Sequence, residues 1–180
     1  YLDDAHAFGI YGKDGFGYTT IGEKLEKEIV VGTFSKAVGS YGAFVSCSKF
    51  FYDLIVDKCP GLIYSTALPP SIIGSIDESL KIFPKINNLR KKLIDNSHAL
   101  IKQLKETKYN TGNSCSHIIP IIFNQFDDCQ KLKEKLAQNS FYIKSIRHPT
   151  VPLGSPRLRL SLTAVINEKI IKKLLKNFQK

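Results

Sequence analysis

The spacing of apolar and polar residues changes character along the chain. Two short β-branched runs bounded by glycine, residues 28–34 (Glu-Ile-Val-Val-Gly-Thr-Phe) and 42–48, predict strands. The opening Tyr1-Leu2-Asp3-Asp4 has the pattern of a strand end running into a loop punctuated by Gly9, Gly12, Gly15 and Gly17. Residues 50–58 predict a short helix and 61–66 a third strand. Pro69-Pro70 marks the start of the next helix, because proline suits a first turn. Pro84 should end that helix, since it has no N–H and disfavours a helical Phe83. From about Ile86 a helical period sets in, with Leu89, Leu93, Leu100 and Leu104 on one stripe. Beyond Gly112 the pattern predicts a strand at 117–123, a helix at 127–137 and strands at 141–146 and 157–163. A final amphipathic helix follows, with Ile166, Ile170, Leu174 and Phe178 on one face and lysines on the other. Residues 1–85 therefore belong to an α/β layer of strands and helices, and residues 86–180 to a compact α+β module.

Composition narrows the class without naming a function. The 180 residues, 43% hydrophobic and 23% charged, suit one ordinary domain or two small ones and exclude a disordered or collagen-like chain. No apolar run approaches the roughly 20 residues that cross a bilayer, and no apolar leader opens the chain, so neither a membrane span nor export is expected. Cys47, Cys59, Cys115 and Cys129 have no pairing or metal-ligand spacing, which predicts reduced thiols and a cytoplasmic setting. The chain begins at Tyr1 and contains no methionine, which predicts a fragment of a longer protein.

Charge is unevenly placed. Residues 1–90 carry 9 Lys/Arg against 10 Asp/Glu, whereas residues 91–180 carry 17 against 6. A basic half can serve nucleic acid, a phosphorylated ligand or only a solvated surface. Of the four arginines, Arg147, Arg157 and Arg159 fall within 13 residues, and arginine is the side chain that grips carboxylates and phosphates in pairs. On a strand Arg157 and Arg159 share one face with Leu158 and Leu160 opposite, placing a carboxylate clamp beside a core.

Three other strings carry candidate chemistry. Lys36 sits past a strand end in Thr33-Phe34-Ser35-Lys36-Ala37-Val38-Gly39, among small and hydroxylated neighbours. A lysine in a low-polarity pocket can attack a carbonyl to form a Schiff base, and Thr33, Ser35 and the loop N–H groups could hold a phosphate beside it. The order Gly-Lys-Ser/Thr of a P-loop is absent. Asp3-Asp4-Ala5-His6 ends another strand, where alternation sends the two carboxylates to opposite faces. One of them could keep a pyridine nitrogen protonated, and His6 could bond a phenolic oxygen or move a proton. A metal pair lacks a third ligand. Ser65-Thr66, ahead of Pro69-Pro70, fits an N-cap or a small anion nest. Each string alone also fits a structural role: a glycine turn with a solvated lysine, a capping carboxylate, a helix cap, a surface ion pair.

Together and in this order, the strings DDAH, GTFSKAVGSYGAFV, IYSTALPP and PTVPLGSPRLRLSLTA resemble the C-terminal half of the α-oxoamine synthases. These are pyridoxal phosphate (PLP) enzymes of the aspartate aminotransferase fold, fold type I, that join an amino acid to an acyl thioester with loss of CO2. The likeness spans essentially the whole chain; His148 and Gly154-Ser155-Pro156 depart from the usual spelling. It implies that residues 1–85 are the end of the large PLP-binding domain and 86–180 the small C-terminal domain. Lys36 is then the cofactor lysine and remover of the Cα proton, Asp3 the partner of the pyridine nitrogen, and His6 the contact to the ring oxygen. Thr33 would bind the phosphate, Ser65 and Thr66 the phosphate of a partner subunit's cofactor, and Thr150 and Arg159 the substrate. The spelling is nearest the branch that condenses L-alanine with a pimeloyl thioester, on CoA or a carrier protein, to 8-amino-7-oxononanoate in biotin biosynthesis, as a homodimer. The alternatives are the sister 5-aminolevulinate synthases, 2-amino-3-ketobutyrate CoA ligases and serine palmitoyltransferases, or a basic nucleic-acid-binding module in residues 91–180.

Overall fold

The structure, a computed structural model, describes residues 1–23 and 25–179. They form two compact units, residues 1–90 and 91–180. Among the described residues no helix is long and apolar enough to cross a membrane.

The first unit is built on a three-stranded sheet of β1 (Leu2–Asp3), β2 (Ile29–Thr33) and β3 (Ala43–Cys47), in that spatial order. β1 runs parallel to β2, and β3 antiparallel to it. The register pairs Asp3 with Val31, Val31 with Val45 and Thr33 with Ala43, so these side chains share one face. Leu2, Val30, Gly32 and Phe44 take the other face. Gly32 has a reason to lack a side chain: a Cβ there would lie 2.3 Å from the Phe44 ring. With that space empty, Phe44 crosses the strand to meet Phe8, ring centroids 4.8 Å apart, and Phe34 at 5.4 Å. Phe8, Val38 and Phe83 are the buried centre of this cluster, and Phe16, Phe34, Phe44 and Leu80 pack against it.

Helices α1 (Lys49–Lys58), α2 (Pro60–Ile63) and α3 (Pro70–Ile82) follow; α3 ends ahead of Pro84 as expected, but Phe83 keeps helical angles (φ −48°, ψ −52°) and the chain runs on through a 3-10 segment, Phe83–Ile86. The strand expected at 61–66 does not form. Pro60 opens a helical turn closed by Ile63 N–H to Cys59 O and Tyr64 N–H to Pro60 O, both 3.0 Å. Leu62, Ile63 and Tyr64 are exposed there, so their apolarity reflects no buried strand.

The second unit contains most of α4 (Asn87–Lys105), then β4 (Ile118–Ile122), α5 (Phe126–Gln138), β5 (Lys144–Ile146), β6 (Arg157–Ser161) and α6 (Glu168–Leu175). β6 is the central strand, antiparallel to β4 and β5. Its alternation buries Leu158 and Leu160 and leaves the arginines at the sheet's other face. The core is Leu100, Leu104, Ile119, Ile121, Leu136 and Leu158, all without solvent exposure. Two expectations are corrected. Leu89 is 47% exposed; its neighbour Arg90 is the buried residue, because the stripe of α4 turns at that end toward the first unit's glycine loop. In α6 the buried face is Ile171, Leu174, Leu175 and, beyond it, Phe178, while Ile170 is 40% exposed. Asn167 caps the helix by accepting Ile170 N–H at 3.0 Å, which sets the register so that Ile170 points outward.

Candidate active site

Strand ends and the turns after them position the first group of candidate residues. After Thr33 the chain makes a tight excursion and returns, fastened by Ser40 N–H to Phe34 O at 2.8 Å and Phe34 N–H to Gly42 O at 2.9 Å. Gly39 N–H bonds Lys36 O at 3.1 Å inside it. Two anchors tie the turn down. Val38 joins the aromatic cluster and its carbonyl accepts Ser79 Oγ at 3.2 Å. Ala37 lies against Gly9, where a Cβ would come within 2.5 Å of the alanine methyl. Lys36 is thus carried on a rigid turn with an apolar floor. Its Nζ donates to Thr33 Oγ1 at 3.4 Å. The side chain itself is exposed, so the low-polarity pocket expected around it is not formed by the described residues of this chain.

Asp3 stands on the same sheet face as Thr33, and this face is open: Val45 is 50% exposed and Ala43 is exposed. Asp3 Oδ1 accepts Ala5 N–H at 3.0 Å, steadying the carboxylate at the strand end. His6, exposed, rides on the turn closed by Ala7 and Phe8 N–H to Asp4 O, at 2.9 and 2.8 Å. The sheet therefore brings Asp3, Thr33 and Lys36 to one open face, with His6 on the turn that leaves it. Asp4 is the opposite case. It is 1% exposed and its Oδ2 accepts Tyr18 N–H at 2.9 Å. Burial, reinforced by the neighbouring Asp3 charge and only partly offset by the Tyr18 bond, pushes its pKa up.

Ser65 and Thr66 are exposed and do not cap α3, whose N-cap is Pro69 without a side-chain bond. Ser65 Oγ instead donates to Leu62 O at 3.0 Å, closing the turn behind it. Three residues, Ala67, Leu68 and Pro69, separate Thr66 from the helix start, and Pro69 stiffens that spacer, so neither hydroxyl reaches the first turn's N–H groups.

In the second unit Thr150 is exposed in a turn closed by its own N–H to Arg147 O at 3.1 Å. Arg159 is half-buried, in register with Lys144 and Pro120. With Lys144, Phe141, Ile143 and Leu162 it lines a cavity of about 380 Å³. The other arginines of the cluster have different work. Arg157 bonds Ser155 O and Oγ, both at 3.2 Å, and Arg147 lies 5.2 Å over the Phe126 ring.

Two buried residues have roles that the strings alone did not assign. Arg90 is buried beneath the glycine loop: it bonds Phe83 O, and Asn87 Oδ1 at 2.7 Å, while Asn87 in turn holds Asp14 at 2.8 Å. A Cβ at Gly15, where φ is +84°, would lie 2.8 Å from its guanidinium. Asp4 is the second. The signal for both was present: an isolated arginine away from its three companions, and an acid just ahead of a loop whose glycines leave room for buried charges.

The chain belongs to the class I and II aminotransferase family, whose model matches residues 1–178. Its fold is the α/β architecture of the fold-type-I PLP-dependent transferases. Within that class the chain is similar to the 8-amino-7-oxononanoate synthase of Gluconacetobacter diazotrophicus, 37% identical over 175 residues that cover 97% of this chain and 44% of that protein. The solved 8-amino-7-oxononanoate synthase of Francisella tularensis superposes with a TM-score of 0.85 at 28% identity, covering 98% of this chain and 53% of that one. A serine palmitoyltransferase from S. paucimobilis with PLP and myriocin bound gives 0.88 at 28% identity, covering 98% and 46%. The chain spans less than half the length of the curated relatives it matches.

Proposed function

We propose that the full-length protein is a PLP-dependent α-oxoamine synthase that condenses L-alanine with a pimeloyl thioester, releasing CO2 and the carrier's free thiol and giving 8-amino-7-oxononanoate. One observation carries the reading: an amine, a hydroxyl 3.4 Å from it and a carboxylate on the same open sheet face. These groups match an aldehyde, a phosphate and a protonated pyridine nitrogen, three of the groups of PLP. In this reading Lys36 holds the cofactor covalently, Thr33 binds its phosphate, and Asp3 pairs with the ring nitrogen. When bound, PLP supplies an electron sink for the electrons left at the amino acid's Cα. Lys36 takes the Cα proton, and His6 bonds the ring's phenolic oxygen and moves a proton in later steps. Arg159 and Thr150 orient the substrate, Arg159 by a two-pronged contact to its carboxylate. Ser65 and Thr66 serve the phosphate of a partner subunit in a homodimer, for which Ser65 must turn its proton from Leu62 O. Residues 1–85 are then the end of the large domain and 86–180 the small domain.

The choice of alanine and a pimeloyl chain over the sister synthases' substrates rests on sequence, since backbone similarity does not separate them. The two solved enzymes are each 28% identical to this chain, with TM-scores of 0.85 and 0.88, whereas sequence relatives at 37–40% identity carry the name 8-amino-7-oxononanoate synthase. The test is borohydride reduction of the full-length protein with PLP, followed by peptide mapping and by assays with alanine, glycine and serine against pimeloyl, succinyl, acetyl and palmitoyl thioesters. PLP fixed to Lys36 and turnover confined to alanine with the pimeloyl thioester are expected. PLP on another lysine overturns the site, and preference for another pair overturns the substrate.

A further inference from the structure

We propose that Asp4 is a positioning residue for this site: its buried carboxyl clamps the glycine loop to the end of β1 and thereby holds Asp3 and His6 in place. The inference rests on the PLP reading above.

Asp4 occupies an expensive position. Its Oδ2 has the Tyr18 N–H, but its Oδ1, equally buried, has no hydrogen-bond partner among the described residues. A buried carboxyl with an unsatisfied oxygen is destabilising compared with an apolar residue of similar size. What the residue returns is geometry, and three of its groups act together. Its N–H donates to Val31 O at 2.7 Å, continuing the β1–β2 ladder one residue past the strand. Its carbonyl accepts Ala7 and Phe8 N–H and so closes the turn bearing His6. Its side chain reaches 14 residues ahead to Tyr18.

That last bond is the tie between strand and loop. The loop's backbone bonds Gly9 N–H to Gly15 O at 2.7 Å and Gly17 N–H to Tyr11 O at 2.9 Å are internal, and Asn87 Nδ2 holds Asp14 from α4 at 2.8 Å; these shape and seat the loop without attaching it to β1. Gly17 is moulded to the carboxyl: φ is +90° and a Cβ would fall 1.9 Å from Asp4 Oδ2. Because adjacent side chains on a strand point to opposite faces, drawing Asp4 into the closed face sets Asp3 on the open one.

The test titrates the cofactor-free full-length protein with PLP, followed by visible absorbance, and measures thermal unfolding of each cofactor-free variant alongside. Asp4→Ala removes the acceptor and Asp4→Asn keeps it. Tyr18→Pro and Tyr18→Ala both remove the ring, but only proline removes the N–H, and Tyr18 is the first residue of a short 3-10 turn, where proline is tolerated. Asp4→Ala is expected to weaken PLP binding at least tenfold and Tyr18→Pro tenfold relative to Tyr18→Ala, with Asp4→Asn within threefold of the parent. Parental affinity in Asp4→Ala, or a loss in Asp4→Asn equal to that in Asp4→Ala, overturns the inference. So does a loss of affinity that merely follows the loss of unfolding temperature, calibrated with the remote core variant Leu136→Ala. Where Asp4→Ala does not fold, the Tyr18 pair decides, and equal affinity of the two overturns it. A parent that does not bind PLP overturns the proposed function and this inference with it; a parent that binds alongside indifferent variants overturns this inference alone.

Discussion

The two units spend their apolar residues differently. Residues 91–180 close a core of aliphatic side chains from α4, β4, α5 and β6, six of them without any exposure. Residues 1–90 bury a small aromatic cluster on one face of a three-stranded sheet and leave the other face open. Phe50, Tyr52, Leu62 and Tyr64 are exposed there, and α1 buries none of its residues. Yet the unit with the smaller core holds Asp3, His6, Thr33 and Lys36. A site needs rigid support under its functional groups more than a large core around them. Here the support is local: aromatic rings beneath the Lys36 turn, and buried Asp4 and Arg90 under the loop that follows Asp3 and His6.

Lys36 gives the largest expected difference between the units. In the full-length protein Lys36→Ala is expected to lower turnover by roughly a thousandfold or more, because the proposed nucleophile and Cα base are lost together. Steady-state assays should show this with the unfolding temperature of the cofactor-free protein unchanged, since the side chain is exposed. Residual turnover within tenfold of the parent would place the chemistry elsewhere.

Core truncation separates the units next. Phe83→Ala should cost about 3–5 kcal/mol and Leu136→Ala about 2–5 kcal/mol in denaturant unfolding. Only Phe83→Ala should also weaken PLP binding in the folded fraction, because Phe83 packs against Phe8 at 5.5 Å beneath the site. Equal effects on PLP would remove the distinction between a supporting cluster and a general core.

Asp3→Asn keeps the shape of the side chain and removes its charge, so turnover should fall roughly a hundredfold with the Kd for alanine little changed. Arg159→Lys exchanges a planar fork for a point charge, and alanine binding should weaken about tenfold. Alanine titrations of both variants would show whether chemistry and substrate holding are divided between the two units in this way.

The smallest effect concerns Asp4. Its folded pKa is raised, so the folded protein keeps this proton through a pH window in which the unfolded chain has released it. Stability from this group is therefore greatest at low pH and declines as pH rises through the window. Asp4→Asn does not titrate. It should unfold above the parent at pH 7, with the gap closing toward about pH 4 as the parent's carboxyl takes up its proton. A gap that widens on acidification would show that Asp4 is stabilised as an anion.

Local physics made much of the molecule legible before any coordinates. Alternation in Ile29–Thr33 and Arg157–Ser161, the helix start at Pro70 and stop ahead of Pro84, and the places of Asp3 and Lys36 at strand ends depend on residues close in the chain. Three features could not be settled that way. Residues 61–66 are as apolar as a strand, but a strand requires a neighbour to accept its ladder, and Pro60 offered a helical turn instead. The faces of α4 and α6 shifted by one residue, exposing Leu89 and Ile170, because packing chooses which side of a broad apolar stripe is buried. Of the adjacent carboxylates, alternation required only that they part. Which one was buried depended on Tyr18, 14 residues on, coming back across the strand end with an unpaired N–H for Asp4 to accept. That is a long-range contact, and only the folded chain brings its two halves together.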